Sequence, residues 1–198
     1  MPRIKADTVA EHRENQKNTL LKIAKELICR RGLAAVSFGE IADKADLARP
    51  SVYEYFRSKS ELASALIESE FPPWIAAVKS EMGKHRSPKR RIEAFFDIQA
   101  KMFAKGDHDL AISLMNAELD LETRSKVSSF HEELLCLLED PLKEIGFKTT
   151  EQALALMNGV LEAMVRLSRN SKSSATKLSQ KAAVFALGGL KAILSSST

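Results

Sequence analysis

The sequence predicts an all-α fold of about nine helices in two parts: a three-helix unit over residues 1–66 and a larger helical domain over residues 67–198. Apolar residues recur at helical spacing through nearly the whole chain. Hydroxyl residues stand three positions ahead of glutamates at Thr8–Glu11, Ser37–Glu40 and Ser58–Glu61. In that pattern the hydroxyl caps a helix start and the carboxylate reaches back. No stretch alternates like a strand, and no internal repeat or glycine-rich phosphate loop occurs.

The first helix carries Leu20, Ile23, Ala24, Leu27 and Ile28 on one stripe, with a start at Thr8 and an end at Gly32. Arg3 and Lys5 precede it and read as a disordered tail. The box at Ser37-Phe38-Gly39-Glu40 opens a short helix with Ile41, Ala42 and Ala45 inward. Asp46 takes the left-handed turn after it, a role glycine fills more easily. Pro50 then suits the first turn of a third helix reaching Phe56, because its missing N–H costs nothing there. Ser58–Glu61 begins a fourth helix with Leu62 and Leu66. Two short helices around a tight turn, packed on a longer first helix, make a helix-turn-helix.

The stretch "GLAAVSFGEIADKADLARPSVYEYFRSKSEL", Gly32 to Leu62, resembles the DNA-binding domain of the TetR family of bacterial transcriptional regulators. Gly32, Ser37, Ile41-Ala42, the turn at Ala45 to Leu47, Tyr53, Tyr55-Phe56, Lys59 and Leu62 carry the resemblance. Two positions depart from the family pattern: Asp46 where glycine is usual, and Ala48 where serine commonly caps the recognition helix. The resemblance implies that Tyr53 and Tyr55 lie near a DNA backbone, where a phenol joins an apolar body to a hydroxyl donor. Phe56, four residues after Val52, turns inward instead. Lys59 and Ser37, each at a helix start, are phosphate candidates, and Gly39 lets the backbone come close. Arg49, Pro50 and Ser51 open the recognition helix, and Arg49 and Ser51 face base edges or adjacent phosphates.

Beyond Leu66 the chain stays helical without a motif. Pro72-Pro73 predicts a break near Phe71 and joins the two parts. A helix after "HRSPKRR" places Ile92, Phe95, Phe96, Gln99, Met102 and Phe103 on one face and closes at Gly106. Shorter and longer helices follow over Leu110–Glu118 and Arg124–Ile145, with a distortion at Pro141. The last two lie near Glu151–Asn170 and Thr176–Ser195, separated by a serine loop at Ser171–Ser174. The resemblance implies a ligand pocket in this domain. Its candidate wall residues are Trp74, Phe95, Gln99, Phe103, Met115, Asn116, Phe130 and Met157, and Gln99 interrupts an otherwise apolar face.

The final helix is apolar nearly all round: Ala182–Leu194 holds Lys191 as its one charge. A terminal helix of that kind needs cover on both sides. With Val160, Leu161 and Met164 before it, and Phe185, Gly188 and Gly189 within it, the reading is a four-helix homodimer interface. Two-fold symmetry then calls for a near-palindromic DNA site.

Composition agrees and narrows the chemistry. The 198 residues are 44% hydrophobic and carry a net charge of +4. Met1–Ala65 holds twelve Lys/Arg against nine Asp/Glu, so most of the excess lies in the first third, which suits a polyanion. Cys29 and Cys136 match no metal spacing and read as two buried thiols of a reduced, cytoplasmic protein. Asp107-His108-Asp109 looks like a fragment of a metal site, yet it follows Gly106 where turn residues and a helix cap belong. His131-Glu132-Glu133 reads as a solvated helix edge. No nucleophile motif stands anywhere, so neither enzyme, metal nor cofactor is expected. The expected function is a regulator released from DNA by a small apolar or amphipathic molecule. The alternative is a DNA-associated helical scaffold whose second domain binds a protein.

Overall fold

The computed structural model describes residues 6–105, 107–170 and 174–196. Arg3 and Lys5, Gly106 and the serine loop at 171–173 lie outside them. Ten helices occur among the described residues, and no strand: α1 (Ala6–Arg31), α2 (Phe38–Lys44), α3 (Arg49–Tyr53), α4 (Lys59–Gly83), α5 (Pro88–Lys105), α6 (Asp107–Met115), α7 (Leu121–Cys136), α8 (Glu139–Glu144), α9 (Glu151–Asn170) and α10 (Ala175–Ser196). The chain forms two compact units, Met1–Glu70 with Asp109–Val127, and Phe71–His108 with Ser128–Thr198. The sequence suggested a single cut after Leu66. The first unit instead takes back a later segment.

In the first unit, α1 buries Leu20, Leu21, Ala24, Leu27 and Ile28 on the stripe its spacing predicts. It starts at Ala6, ahead of Thr8, so Thr8–Glu11 lies inside the helix and is not its cap. Gly32 ends it with φ of 81°, and its N–H reaches Ile28 O at 2.8 Å. The two other capping boxes stand where expected. Ser37 Oγ accepts from Glu40 N (3.2 Å) and Ser58 Oγ from Glu61 N (3.0 Å). Their carboxylates work elsewhere than a symmetrical box requires: Glu40 pairs with Arg31 at 2.5 Å, and Glu61 accepts from Arg57 N at 2.6 Å.

The returning segment is tied to this unit by hydrogen bonds. Ser113 Oγ donates to Ile28 O (3.4 Å), and Asp120 N donates to Ser60 Oγ (3.2 Å). Asp120 also caps α7, accepting from Thr123 N at 2.8 Å, so this helix starts before the expected Arg124. Lys126 Nζ bonds Ser64 Oγ and Glu68 Oε1, each at 2.7 Å.

The expected break near Phe71 does not occur: α4 runs unbroken through Pro72 and Pro73. Both prolines are exposed, as are Glu68 and Ser69, whose carbonyls lose a helical partner. Water can solvate that side of the helix, while Phe71, Trp74, Ile75 and Val78 bury the other. The long helix expected over Arg124–Ile145 is two, α7 and α8. The division falls at residues 137–138, because Pro141 has no N–H to offer the Leu137 carbonyl.

In the second unit α5 packs chiefly on α10, with α8 and α9 beside it. Ile92, Phe95, Phe96 and Gln99 are all fully buried on its inner face. Buried Ser179 of α10 donates to Asp97, and Arg91 pairs with Glu144. Gly146 closes α8 with φ of 117°. Cys29 is half-buried and Cys136 exposed, against the expectation of two buried thiols. Leu134 on α7 and Leu138 just beyond its end are buried, and Cys136 between them falls on the outer side.

Candidate DNA-contact surface and ligand site

The turn between α2 and α3 has the geometry its sequence suggested. Asp46 sits at φ of 54°, among the described residues the one non-glycine in the left-handed region. Ala48 begins α3 with no side-chain cap, and Pro50 follows in the first turn. α3 itself is shorter than expected, ending at Tyr53, with Glu54 and Tyr55 in a turn. Val52 and Phe56 are buried and fasten it to the unit's core.

Its outer side presents Arg49, Pro50 and Tyr53, with Ser51 half-buried. The Arg49 guanidinium lies over the Tyr53 ring, 5.8 Å from its centroid, and donates to Tyr53 Oη at 3.3 Å. The Tyr53 ring meets Phe38 edge-on at 5.0 Å. A Cβ at Gly39 would stand 3.9 Å from Arg49 Cδ and from Ser37 Oγ, ordinary van der Waals contact, so packing in the chain itself does not demand glycine there. Tyr55 is held differently. Its hydroxyl donates to Gln16 Oε1 at 2.9 Å, and Arg13 lies 5.7 Å from its ring centroid. Lys59 Nζ donates to the Leu33 and Ala34 carbonyls at 3.2 and 2.6 Å, closing the loop between α1 and α2. That leaves one N–H of three for a phosphate.

Sequence reasoning missed Gln16 and Arg13, because the polar side of α1 carries no pattern that selects them. Asp120 was legible in principle, as an aspartate directly before Leu121-Glu122-Thr123. The Lys126 ammonium holds the Glu68 carboxyl below its usual range, and that pairing raises the Lys126 pKa in turn. The backbone N–H of Thr123 does the same for Asp120.

Four of the eight candidate ligand residues come together in the second unit. Trp74 and Phe130 rings lie 5.3 Å apart, and Phe71 stacks on Phe130 at 4.0 Å. His108 joins them, 4.2 Å from Trp74 and 3.7 Å from Phe103, and its Nε2 lies 3.2 Å from Gln99 Oε1. The residue weighed as a metal fragment is thus part of an aromatic cluster, and among the described residues no acid, His and Cys group could hold a metal. Phe95 packs on Phe96 at 5.7 Å, and Met157 is plain core. Met115 and Asn116 are corrections: they sit exposed at the end of α6 in the first unit, where Asn116 bonds back to Ile112 O.

The outer faces of α9 and α10 are apolar and open. Val184 and Phe185 are 72% and 74% exposed, and Leu156 and Leu167 more than half. A groove of about 530 Å³ runs between the helices, lined by Leu156, Val160, Ala163, Leu167, Leu178 and Phe185 among others. Leu161 leaves the expected interface set, since it turns inward with Met157, and Met164 serves only as the groove floor. Gly188 and Gly189 are exposed, with nothing among the described residues within 4 Å of an added Cβ.

A left-handed turn between two short helices, the second fastened by Val52 and Phe56 with Arg49 and Tyr53 outward, defines a helix-turn-helix unit. Residues 20–66 match the family model described as bacterial regulatory proteins, tetR family. That match covers the helix-turn-helix and the start of α4, so this part of the chain is similar to the DNA-binding domain of that family. It is 32% identical over 89 residues to the transcriptional activator FasR of Mycolicibacterium smegmatis, covering 43% of this chain and 41% of that one. It is 24% identical over 127 residues to the fatty acid metabolism regulator protein of Bacillus subtilis, covering 63% and 65%. The chain thus spans less than two thirds of either curated relative. The solved structure of FadR from Bacillus subtilis in complex with stearoyl-CoA shares the fold, with a TM-score of 0.73 at 21% identity over 86% of this chain and 97% of that one.

Proposed function

We propose that this protein is a homodimeric repressor that binds a near-palindromic duplex operator and leaves it when an amphipathic acyl compound binds the second unit. The observation that carries the DNA reading is the outward pair Arg49 and Tyr53 on a helix whose other side is buried. Arg49 is the candidate for a base edge, while Tyr53 and Lys59, with Ser37 at the start of α2, are candidates for phosphates; Tyr55, whose hydroxyl donates to Gln16, would have to give up that partner to join them. Among the described residues no helix is long and apolar enough to cross a membrane, which fits the cytoplasmic location proposed for such a regulator.

The ligand reading rests on the aromatic cluster around Trp74 and His108, and on the stearoyl-CoA bound by the FadR of like fold. Release requires the ligand to favour the state that binds DNA poorly. The dimer reading rests on the uncovered apolar faces of α9 and α10. Selection of bound duplexes from random DNA tests the whole proposal. The expected product is a two-fold site with half-sites roughly one helical turn, 34–36 Å, apart. Arg49→Ala should relax preference at one position per half-site, at about 1–3 kcal/mol. Recovery of unrelated sequences would refute sequence-specific binding. A protein partner at the second unit, in place of a ligand, would appear as DNA binding indifferent to every acyl compound that binds.

A further inference from the structure

Trp74 Nε1 and Gln99 Nε2 are buried hydrogen-bond donors with no acceptor. Gln99 is 0% exposed and Trp74 5%. Folded chains rarely leave such donors unanswered without a reason. The third buried nitrogen of this kind, Arg91 Nε, belongs to a side chain already paired with Glu144. The other two belong together, because their side chains grip the same imidazole. Gln99 Oε1 takes the hydrogen bond of His108 Nε2 at 3.2 Å, which commits the amide oxygen and leaves its NH₂ over. The Trp74 ring stands edge-on to His108, at 87° and 4.2 Å. Phe71, Phe103 and Phe130 close the surroundings with hydrocarbon.

Two neutral N–H donors among rings select a particular chemistry. A hydrocarbon without oxygen would leave both donors unanswered. A free carboxylate would bring a full charge out of water against neutral partners, which is much costlier than the return. A neutral carbonyl oxygen answers the donors without that cost. We infer that Trp74 Nε1 and Gln99 Nε2 bind the carbonyl oxygen of an acyl thioester whose chain lies among these rings, with His108 fixing the Gln99 amide. The inference rests on the ligand reading above and adds the atom that is recognised.

The test uses a long-chain acyl-CoA and its thioether analogue, in which CH₂ replaces the carbonyl, titrated calorimetrically into the full chain. The parent should prefer the thioester by about tenfold. Trp74→Phe and Gln99→Met each remove one donor and stay apolar at the site, although the tryptophan variant also loses ring volume. Each variant is judged by its own ratio of thioester to thioether affinity, which should fall to near one whatever happens to its overall affinity. Equal affinity of the parent for the two compounds overturns the carbonyl assignment and leaves the ligand reading standing. A preference that survives in both variants places the recognition elsewhere and overturns it too. If neither compound binds a protein that still binds DNA, an ordered water answers the donors, and the acyl reading falls with the carbonyl one.

Discussion

Lys59 shows how one side chain serves two purposes. Its ammonium ties down the Leu33 and Ala34 carbonyls while standing at the start of α4 beside Ser58. Lys59→Met keeps the stem and removes the donors. If a phosphate is also held, the slope of log affinity against log salt should fall by about one. A purely structural lysine predicts instead a lower Tm with the slope unchanged. Asp120 makes a second prediction at this scale. Its carboxyl is held below the usual range by the Thr123 N–H, so its contribution is present above that range and disappears as pH falls through it. Asp120→Asn keeps the cap geometry without the titration. The parent should therefore melt higher near neutrality, and the two curves should converge in acid. A Tm difference that grows on acidification would contradict the assignment. These roles were only half legible in sequence. The Ser37 and Ser58 caps follow from local spacing, whereas the partners of Lys59 and Tyr55 lie 25 to 39 residues away.

At the scale of elements, the helices were readable because amphipathic spacing and caps are local. What failed was the weight given to proline. Pro72 and Pro73 signal a break only if the freed carbonyls are buried, and here those positions face water. Each should still carry a local cost. Pro72→Ala in an exposed helical position should raise stability by up to about 3 kcal/mol, read from urea denaturation. A destabilised variant would contradict this account of the exposed prolines. Pro141 had the opposite fate, coinciding with a real division between α7 and α8. Composition gave no warning that Met115 and Asn116 belong away from the aromatic cluster, since burial of α6 in the first unit depends on tertiary partners such as Ile28.

For the molecule as a whole, the dimer reading turns on surfaces that the single chain leaves bare. Phe185→Glu puts a charge where the exposed ring now stands. It should convert a dimer to a monomer in sedimentation and leave the helical circular dichroism spectrum intact. Gly188→Ala offers a sharper contrast. Among the described residues an added Cβ meets nothing, so helix propensity alone should stabilise the subunit by roughly 1 kcal/mol. A subunit that becomes more stable while its dimer weakens shows that a second backbone approaches there. A parent already monomeric at micromolar concentration removes the dimer. The near-apolar run of α10 made this face visible in sequence, but the inward turn of Leu161 follows from packing on the rest of the second unit.

The first unit closes only with residues that come late in the chain. Leu110 and Leu114 complete its buried interior, and Asp120 and Lys126 clasp α4 at Ser60 and Ser64. During synthesis, the helix-turn-helix leaves the ribosome well before these partners exist. At about 5–20 residues per second, the wait between Leu66 and Val127 is roughly 3–12 s. Through that interval the Ile28 carbonyl and the Ser60–Glu68 stretch of α4 lack the partners that Ser113, Asp120 and Lys126 bring, and a nascent chain is open to holdase chaperones. A gene cut after Leu66 would make that interval permanent: the fragment should express as an aggregation-prone, loosely packed module, whereas one that supplies Asp109–Val127 in the same polypeptide should not.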